Sequence, residues 1–414
     1  MVLFMLKFVK STIKYLAAAL TVGALGGLIG AAFAHAVDFV THFRLSHPFS
    51  IYFLPIGAVA TVLIYSVLKV RGKGTNDCFR AATGDSSVPF LLNPAVFICS
   101  TITHLLGGSA GREGAALQLG GSLSPPISKL FSLSEENRRG LVFSGMAAVF
   151  SALFGTPFAA AIFVFEATKT LKTAYKSVPS VLISSLSAYL VALLCKVPGE
   201  KFILPEITLT FMDFWRAILV AGLSGIVCLG YCLALEFAKK GFAFLGNPYL
   251  RGIVGAITIV ILTVIIGNQN YNGAGTHIIA TVFEGEQPRF FAFLLKILLT
   301  ALTIGAGFKG GEIVPAFFIG ATFGATAATL LGLPVTLGAA IGMLILFGGS
   351  TKCPIAAFII AFELFGLNSA LLICLVPSLM CGYTMSGKAS LYSETNLAIF
   401  KNAVKTIKTS NGKF

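Results

Sequence analysis

The chain has 414 residues, of which 56% are hydrophobic and only 11% charged, against roughly 25% charged residues in ordinary soluble domains. That balance excludes a soluble globular protein and places the chain in a bilayer. The 30 Lys and Arg against 16 Asp and Glu leave a net charge of +14, but the positions of the cations tie it to membrane topology and not to nucleic acid.

In chain order, Lys7, Lys10 and Lys14 precede the first apolar stretch, residues 15–40. This stretch is too long for a signal-peptide core and reads as the first membrane helix. Further apolar stretches lie at 51–70, 142–165, 178–195, 217–235, 253–266, 290–304, 316–331, 337–347 and 371–383. Several are shorter than the ~20 residues that cross a bilayer, and many are interrupted by Gly or Pro. Helices that stop part-way are expected, with their ends buried in protein or lining a wet cavity. Lys388, Lys401, Lys405, Lys408 and Lys413 follow the last stretch, and basic loops lie at 69–80 and 169–176. The bias of short cationic loops toward the cytoplasm puts both termini and these loops inside, and the acidic segment with Glu200, Glu206 and Asp213 outside. The expected location is the plasma membrane, multi-pass with both termini cytoplasmic, of a prokaryotic inner-membrane type.

The chain also repeats itself. Gly108, Gly111, Glu113 and Gly121 recur as Gly307, Gly310, Glu312 and Gly320 at one spacing. Downstream, Gly145, Met146, Phe150, Pro157, Ala159, Ala160, Phe165 and Glu166 recur as Gly342, Met343, Phe347, Pro354, Ala356, Ala357, Phe362 and Glu363. The expected organisation is a cytoplasmic basic segment (1–14), a first membrane repeat (15–200), a second (201–395) and a cytoplasmic basic tail (396–414), with no soluble regulatory domain. The fold class is all-α and polytopic, with two inverted-topology repeats of broken and tilted helices.

The eight cysteines lie mostly in apolar stretches without CxxC spacing, and the five histidines form no cluster. Neither a metal nor a cofactor is expected, and the absence of haem or nucleotide motifs argues against an enzyme. The chemistry rests on the carboxylates. A charged Glu at the bilayer centre costs on the order of 3 kcal/mol, so it is rarely kept without a role. Half-helices of inverted repeats point their positive N-terminal ends at an anion near the midplane, and glycine lets backbone N–H groups approach it. Glu113 and Glu312 are therefore the candidates for gating and proton carriage. The competing reading pins each to a neighbour, Glu113 to Arg112 and Glu312 to Lys309. Glu166 and Glu363 read as helix-end residues.

At this point the residues resemble the CLC family of chloride channels and proton-coupled antiporters. Residues 111–114 (GREG) look like its gating-glutamate motif, 310–315 (GGEIVP) like its second anion-binding loop, 154–166 (FGTPFAAAIFVFE) like the helix that follows, and 387–393 (GKASLYS) like the segment bearing its central tyrosine, here Tyr392. The resemblance implies a homodimer in the lipid bilayer, with one pore in each subunit between the repeats. Three departures point to its fluoride/proton antiporter branch: residues 73–78 (KGTNDC) lack the serine of chloride carriers, Glu312 stands where those have an apolar residue, and Ala167 replaces their inner proton-transfer glutamate. The implied function is fluoride export in exchange for protons. Its anion-binding set is Thr75 or Asn76, Arg112, Gly114, Ile313, Val314 and Tyr392, with Glu113 gating and carrying the proton and Glu312 coupling it. A compact, strongly hydrated anion such as fluoride needs small donors of this kind to replace its water. Chloride/proton exchange and passive anion conduction remain open on the same fold.

Overall fold

The structure is a computed structural model that describes residues 2–84, 86–170 and 174–392. Ser393, the tail 396–414 with Lys401, Lys405, Lys408 and Lys413, and residues 171–173 of the basic loop 169–176 lie outside the described residues. Two sets of eight helices follow one another in the same order. The first comprises α1 (Val2–Ser46), α2 (Leu54–Val67), α3 (Thr75–Thr83), α4 (Leu92–Leu105), α5 (Glu113–Leu130), α6 (Glu135–Phe154), α7 (Pro157–Ala167) and α8 (Val178–Leu194). The second comprises α9 (Phe211–Ala243), α10 (Pro248–Ile266), α11 (Thr276–Phe283), α12 (Ala292–Ala306), α13 (Ile313–Leu331), α14 (Val335–Thr351), α15 (Pro354–Phe365) and α16 (Ser369–Met385). Residues 195–210 link the sets.

Six of the helical spans are long and apolar enough to cross a membrane among the described residues, and six apolar helices are shorter. The apolar stretch 142–165 is not one helix. Gly155 ends α6 at φ 70°, and Pro157, whose missing N–H costs nothing in a first turn, opens α7. Helices α3, α4, α5, α11 and α15 lie outside the stretches that composition marks.

Small residues set how the helices pack. A Cβ on Gly120 would overlap the carbonyl of Gly145, and one on Gly320 would overlap the carbonyl of Gly342. Bare backbone therefore lets α5 lie on α6, and α13 on α14, at the distance that small-residue membrane contacts allow. This corrects the repeat register. Gly320 corresponds to Gly120 and not to Gly121, which faces Cys78 instead.

The repeats are joined by a reciprocal clasp. The Glu166 carboxylate accepts the N–H groups of Ile355 and Ala356 at 3.0 and 2.8 Å, at the start of α15. The Glu363 carboxylate accepts those of Phe158 and Ala159 at 2.9 and 2.8 Å, at the start of α7. Each repeat thus supplies the anionic cap for the other's orphan helix donors. Glu166→Gln and Glu363→Gln are each expected to lower stability by roughly 1–2 kcal/mol, by nearly equal amounts, in detergent-solubilised thermal unfolding. Markedly unequal losses would show that the two caps are not equivalent.

Candidate anion and proton site

Gly107 (φ 82°) and Gly307 (φ 100°) turn the chain just beyond α4 and α12, a conformation that side chains resist. The following loops meet at the middle of the molecule. Gly111 and Gly311 exchange backbone hydrogen bonds of 2.8 and 2.6 Å in an antiparallel bridge, so the N-termini of α5 and α13 face each other. The bridge matches residues 200 apart, whereas the sequence comparison pairs Glu113 with Glu312, 199 apart. The equivalent of Glu312 is Arg112, and that of Glu113 is Ile313. Glu113 is the first residue of α5, and Glu312 holds the N-cap position of α13, where its side chain makes no capping hydrogen bond.

Glu113 is fully buried. Its Oε1 accepts the N–H of Val314, and its Oε2 has no partner among the described residues. A Cβ on either Gly111 or Gly311 would collide with this carboxylate, which explains why both positions are glycine. The carboxylate lies against the unsatisfied N–H groups and the positive end of the α13 dipole, the place where such a terminus takes an anion.

Neither neighbour pairing of the competing reading forms. Arg112 donates to Glu200 at 2.8 Å and lies over the Phe154 ring; it does not join the donors around Glu113. Lys309 lies 4.3 Å from the Tyr65 ring centroid. The partner of Glu312 is Lys239, at 2.9 Å on α9, while the Glu312 backbone carbonyl accepts the Tyr231 hydroxyl at 2.8 Å.

Two vestibules flank the bridge. One, of 520 Å³, opens where α1 ends and includes Arg44, Arg112, Glu200 and His277. The other, of 380 Å³, opens where α2 ends and gathers Thr75, Asn76, Gln118, Lys239, Glu312 and Tyr392. On the first side, a void of only 10 Å³ lies between Phe154, Glu200, Phe317 and Val314, at the lower limit for a single water. Ile313 is buried at the start of α13, and Gly114 offers its carbonyl to Thr75 at 3.5 Å and to the Gln118 amide at 3.0 Å. The Thr75 hydroxyl also accepts from Gln118 at 3.2 Å, so it is already engaged. Asn76 and Tyr392 have no side-chain hydrogen bond among the described residues, and the Tyr392 ring is held edge-on by Phe79, with centroids 4.9 Å apart.

Sequence reasoning missed Gln118, Tyr231, Lys239 and Glu200. Gln118 lies one helical turn beyond Gly114 and was findable by that spacing. The other three come from distant segments and left no local signal.

A sequence model of the family described as voltage gated chloride channel matches residues 56–387. The chain belongs to the CLC family. It is 30% identical over 391 residues to the chloride/fluoride channel protein of Pseudomonas syringae pv. tomato, covering 92% of this chain and 85% of that one. It is 26% identical over 435 residues to the H(+)/Cl(-) exchange transporter ClcA of Vibrio vulnificus, covering 95% and 91%. The fold superimposes on a CLC-type fluoride/proton antiporter with a TM-score of 0.87 at 32% identity, covering 91% of this chain and 96% of that one. A slow cyanobacterial Cl-/H+ antiporter matches in fold with a TM-score of 0.75 at 20% identity, covering 95% and 98%. The inverted repeats and broken helices are therefore those of a CLC protein, and the Gly111–Gly311 bridge lies at the centre of a CLC fold.

Proposed function

We propose that this CLC protein is a fluoride/proton antiporter that expels fluoride from the cytoplasm of a prokaryote across its inner membrane, and that it works as a homodimer. The observation that carries the reading is the pair of carboxylates at one helix terminus. Glu113 fills the anion position at the start of α13, and Glu312, the residue just before that same helix, stands in the vestibule at the α2 end. The resemblance to a fluoride/proton antiporter supports fluoride as the anion.

Orientation follows from charge. The face where α2 ends carries Lys69, Arg71, Lys73, Lys169 and Lys176, so the 380 Å³ vestibule is cytoplasmic and the 520 Å³ vestibule external. Fluoride enters from the cytoplasm and competes with ionised Glu113 for the same N–H groups. A proton from outside neutralises Glu113 and frees it to leave the anion position. Glu312 then receives the proton on the cytoplasmic side, in place of the glutamate that Ala167 replaces. One fluoride out and one proton in move two elementary charges, each worth about 2.3 kcal/mol per 100 mV, so voltage and pH gradient both drive export.

The test is fluoride efflux from proteoliposomes with internal pH recorded at the same time. Acidification that tracks fluoride loss is expected. Fluoride flux without proton movement makes the protein a channel, and equal coupling with chloride makes it a chloride/proton exchanger. Removing single donors refines the site. Tyr392→Phe and Asn76→Ala are each expected to weaken fluoride binding by about 1.5–3 kcal/mol, the range for a hydrogen bond to a charged group, in isothermal titration. Thr75→Val should cost less, because its hydroxyl already serves Gly114 and Gln118. Equal losses at all three positions would place the Thr75 hydroxyl on the ion.

A further inference from the structure

Another cavity, of 280 Å³, lies between α2, α10 and the turn that follows α12. Its wall includes the apolar side chains of Val62, Ala306 and Phe308, and three cations reach it: Arg71, Arg251 and Lys309. Among the described residues none of the three is paired with a carboxylate. Arg71 Nε donates to the Ser66 hydroxyl at 2.5 Å, Arg251 Nε donates to the Ala306 carbonyl at 3.4 Å, and Lys309 rests on the Tyr65 ring. The neighbouring vestibule treats its other cations differently. There Lys73 and Arg80 share Asp77, and Lys239 has Glu312. Three like charges gathered around one partly apolar cavity repel one another, and an anion from elsewhere would relieve that repulsion.

The flanks of the cavity indicate what kind of anion. The outward faces of α2 and α10 are apolar and uncovered by protein: Ile56 and Val67 are 64% and 69% exposed, and Leu250 and Ile257 are 47% and 46% exposed. These faces are lipid-facing in a membrane-embedded chain, and the cations sit at their cytoplasmic end. A ligand with an acidic head and apolar tails matches both parts at once.

We propose that this cavity binds the phosphate headgroup of an anionic phospholipid from the cytoplasmic leaflet, with the acyl chains laid along α2 and α10. Basic pockets between membrane helices on this side have the depth and charge for such headgroups. Gly307, Phe308 and Lys309 line both this cavity and the anion vestibule, so the headgroup sits beside the turn that leads into Gly310 and Gly311.

The experiment is a lipid titration of the full-length protein in neutral detergent, using phosphatidylglycerol and phosphatidylcholine of equal chain length, read by native mass spectrometry and thermal shift. Wild type should retain phosphatidylglycerol preferentially. Arg71→Gln with Arg251→Gln should lose that preference by roughly 25-fold, taking about fivefold for each cation at a membrane surface. Arg71→Gln alone, an exposed position, should lose about fivefold and serves if the double variant does not fold. Lys169→Gln with Lys176→Gln removes two cytoplasmic cations elsewhere and should leave the preference intact. Unchanged preference in the arginine variants, or an equal thermal shift from inorganic phosphate alone, overturns the proposal. None of these readouts depends on transport, so a failure here is distinct from a failure of the antiporter reading.

Discussion

Glu113→Gln abolishes pH-driven fluoride accumulation in proteoliposomes by at least about 100-fold, the lower range for removing a positioned proton carrier. The amide has nearly the shape of the carboxylate, and its oxygen still accepts the Val314 N–H. The packing against Gly111 and Gly311 is therefore kept. Two things are lost. The side chain can no longer carry a proton, and it no longer competes as an anion for the start of α13. Fluoride should still bind, and residual fluoride movement should follow its own gradient with no pH change. Proton flux that survives in this variant at the wild-type ratio to fluoride would remove Glu113 from the coupling path.

The sequence made the two glycine loops and the later helix pair legible because their constraints are local. A left-handed turn, a close helix contact and a proline at a helix start each need a particular residue at a particular place. The duplicated signature from Gly145 to Glu166 keeps one register through both halves for that reason. The loop register was misread by one residue. Glu113 and Glu312 each stand two residues after a glycine, Gly111 and Gly310, and identity outweighed the backbone, in which Gly111 pairs with Gly311. Partners were the least legible part. Arg112 and Lys309 lie next to the glutamates in the chain, so they were natural candidates. In the fold, Arg112 at the N-cap of α5 turns toward Glu200 in the linker, and Lys309 in the loop before α13 turns toward Tyr65 on α2. Likewise, Glu166 and Glu363 read as ordinary helix-end residues because each caps a helix that lies 189 and 205 positions away, respectively.

Glu312→Gln is expected to cripple coupled exchange about as severely as Glu113→Gln, although Glu312 does not occupy the anion position. Its carboxylate sits in the cytoplasmic vestibule, beside the helix terminus that holds the ion, and is only 17% exposed. An arriving fluoride and the Glu312 carboxylate are like charges close to one helix terminus, so anion occupancy and the state of Glu312 are coupled. By linkage that coupling is reciprocal. The alternative is that Glu312 merely neutralises Lys239, and the two roles give different patterns in a double-mutant cycle. Lys239 is 46% exposed, so water hydrates it when its partner is gone, and a pair of this kind is worth at most about 1 kcal/mol. Lys239→Met should then reduce exchange less than tenfold, while Glu312→Gln reduces it about 100-fold or more. The double variant should stay as inactive as Glu312→Gln alone. If removing Lys239 restores exchange to Glu312→Gln, the defect came from an unpaired cation in the vestibule, and the proton must reach Glu113 by a route that does not use this carboxylate.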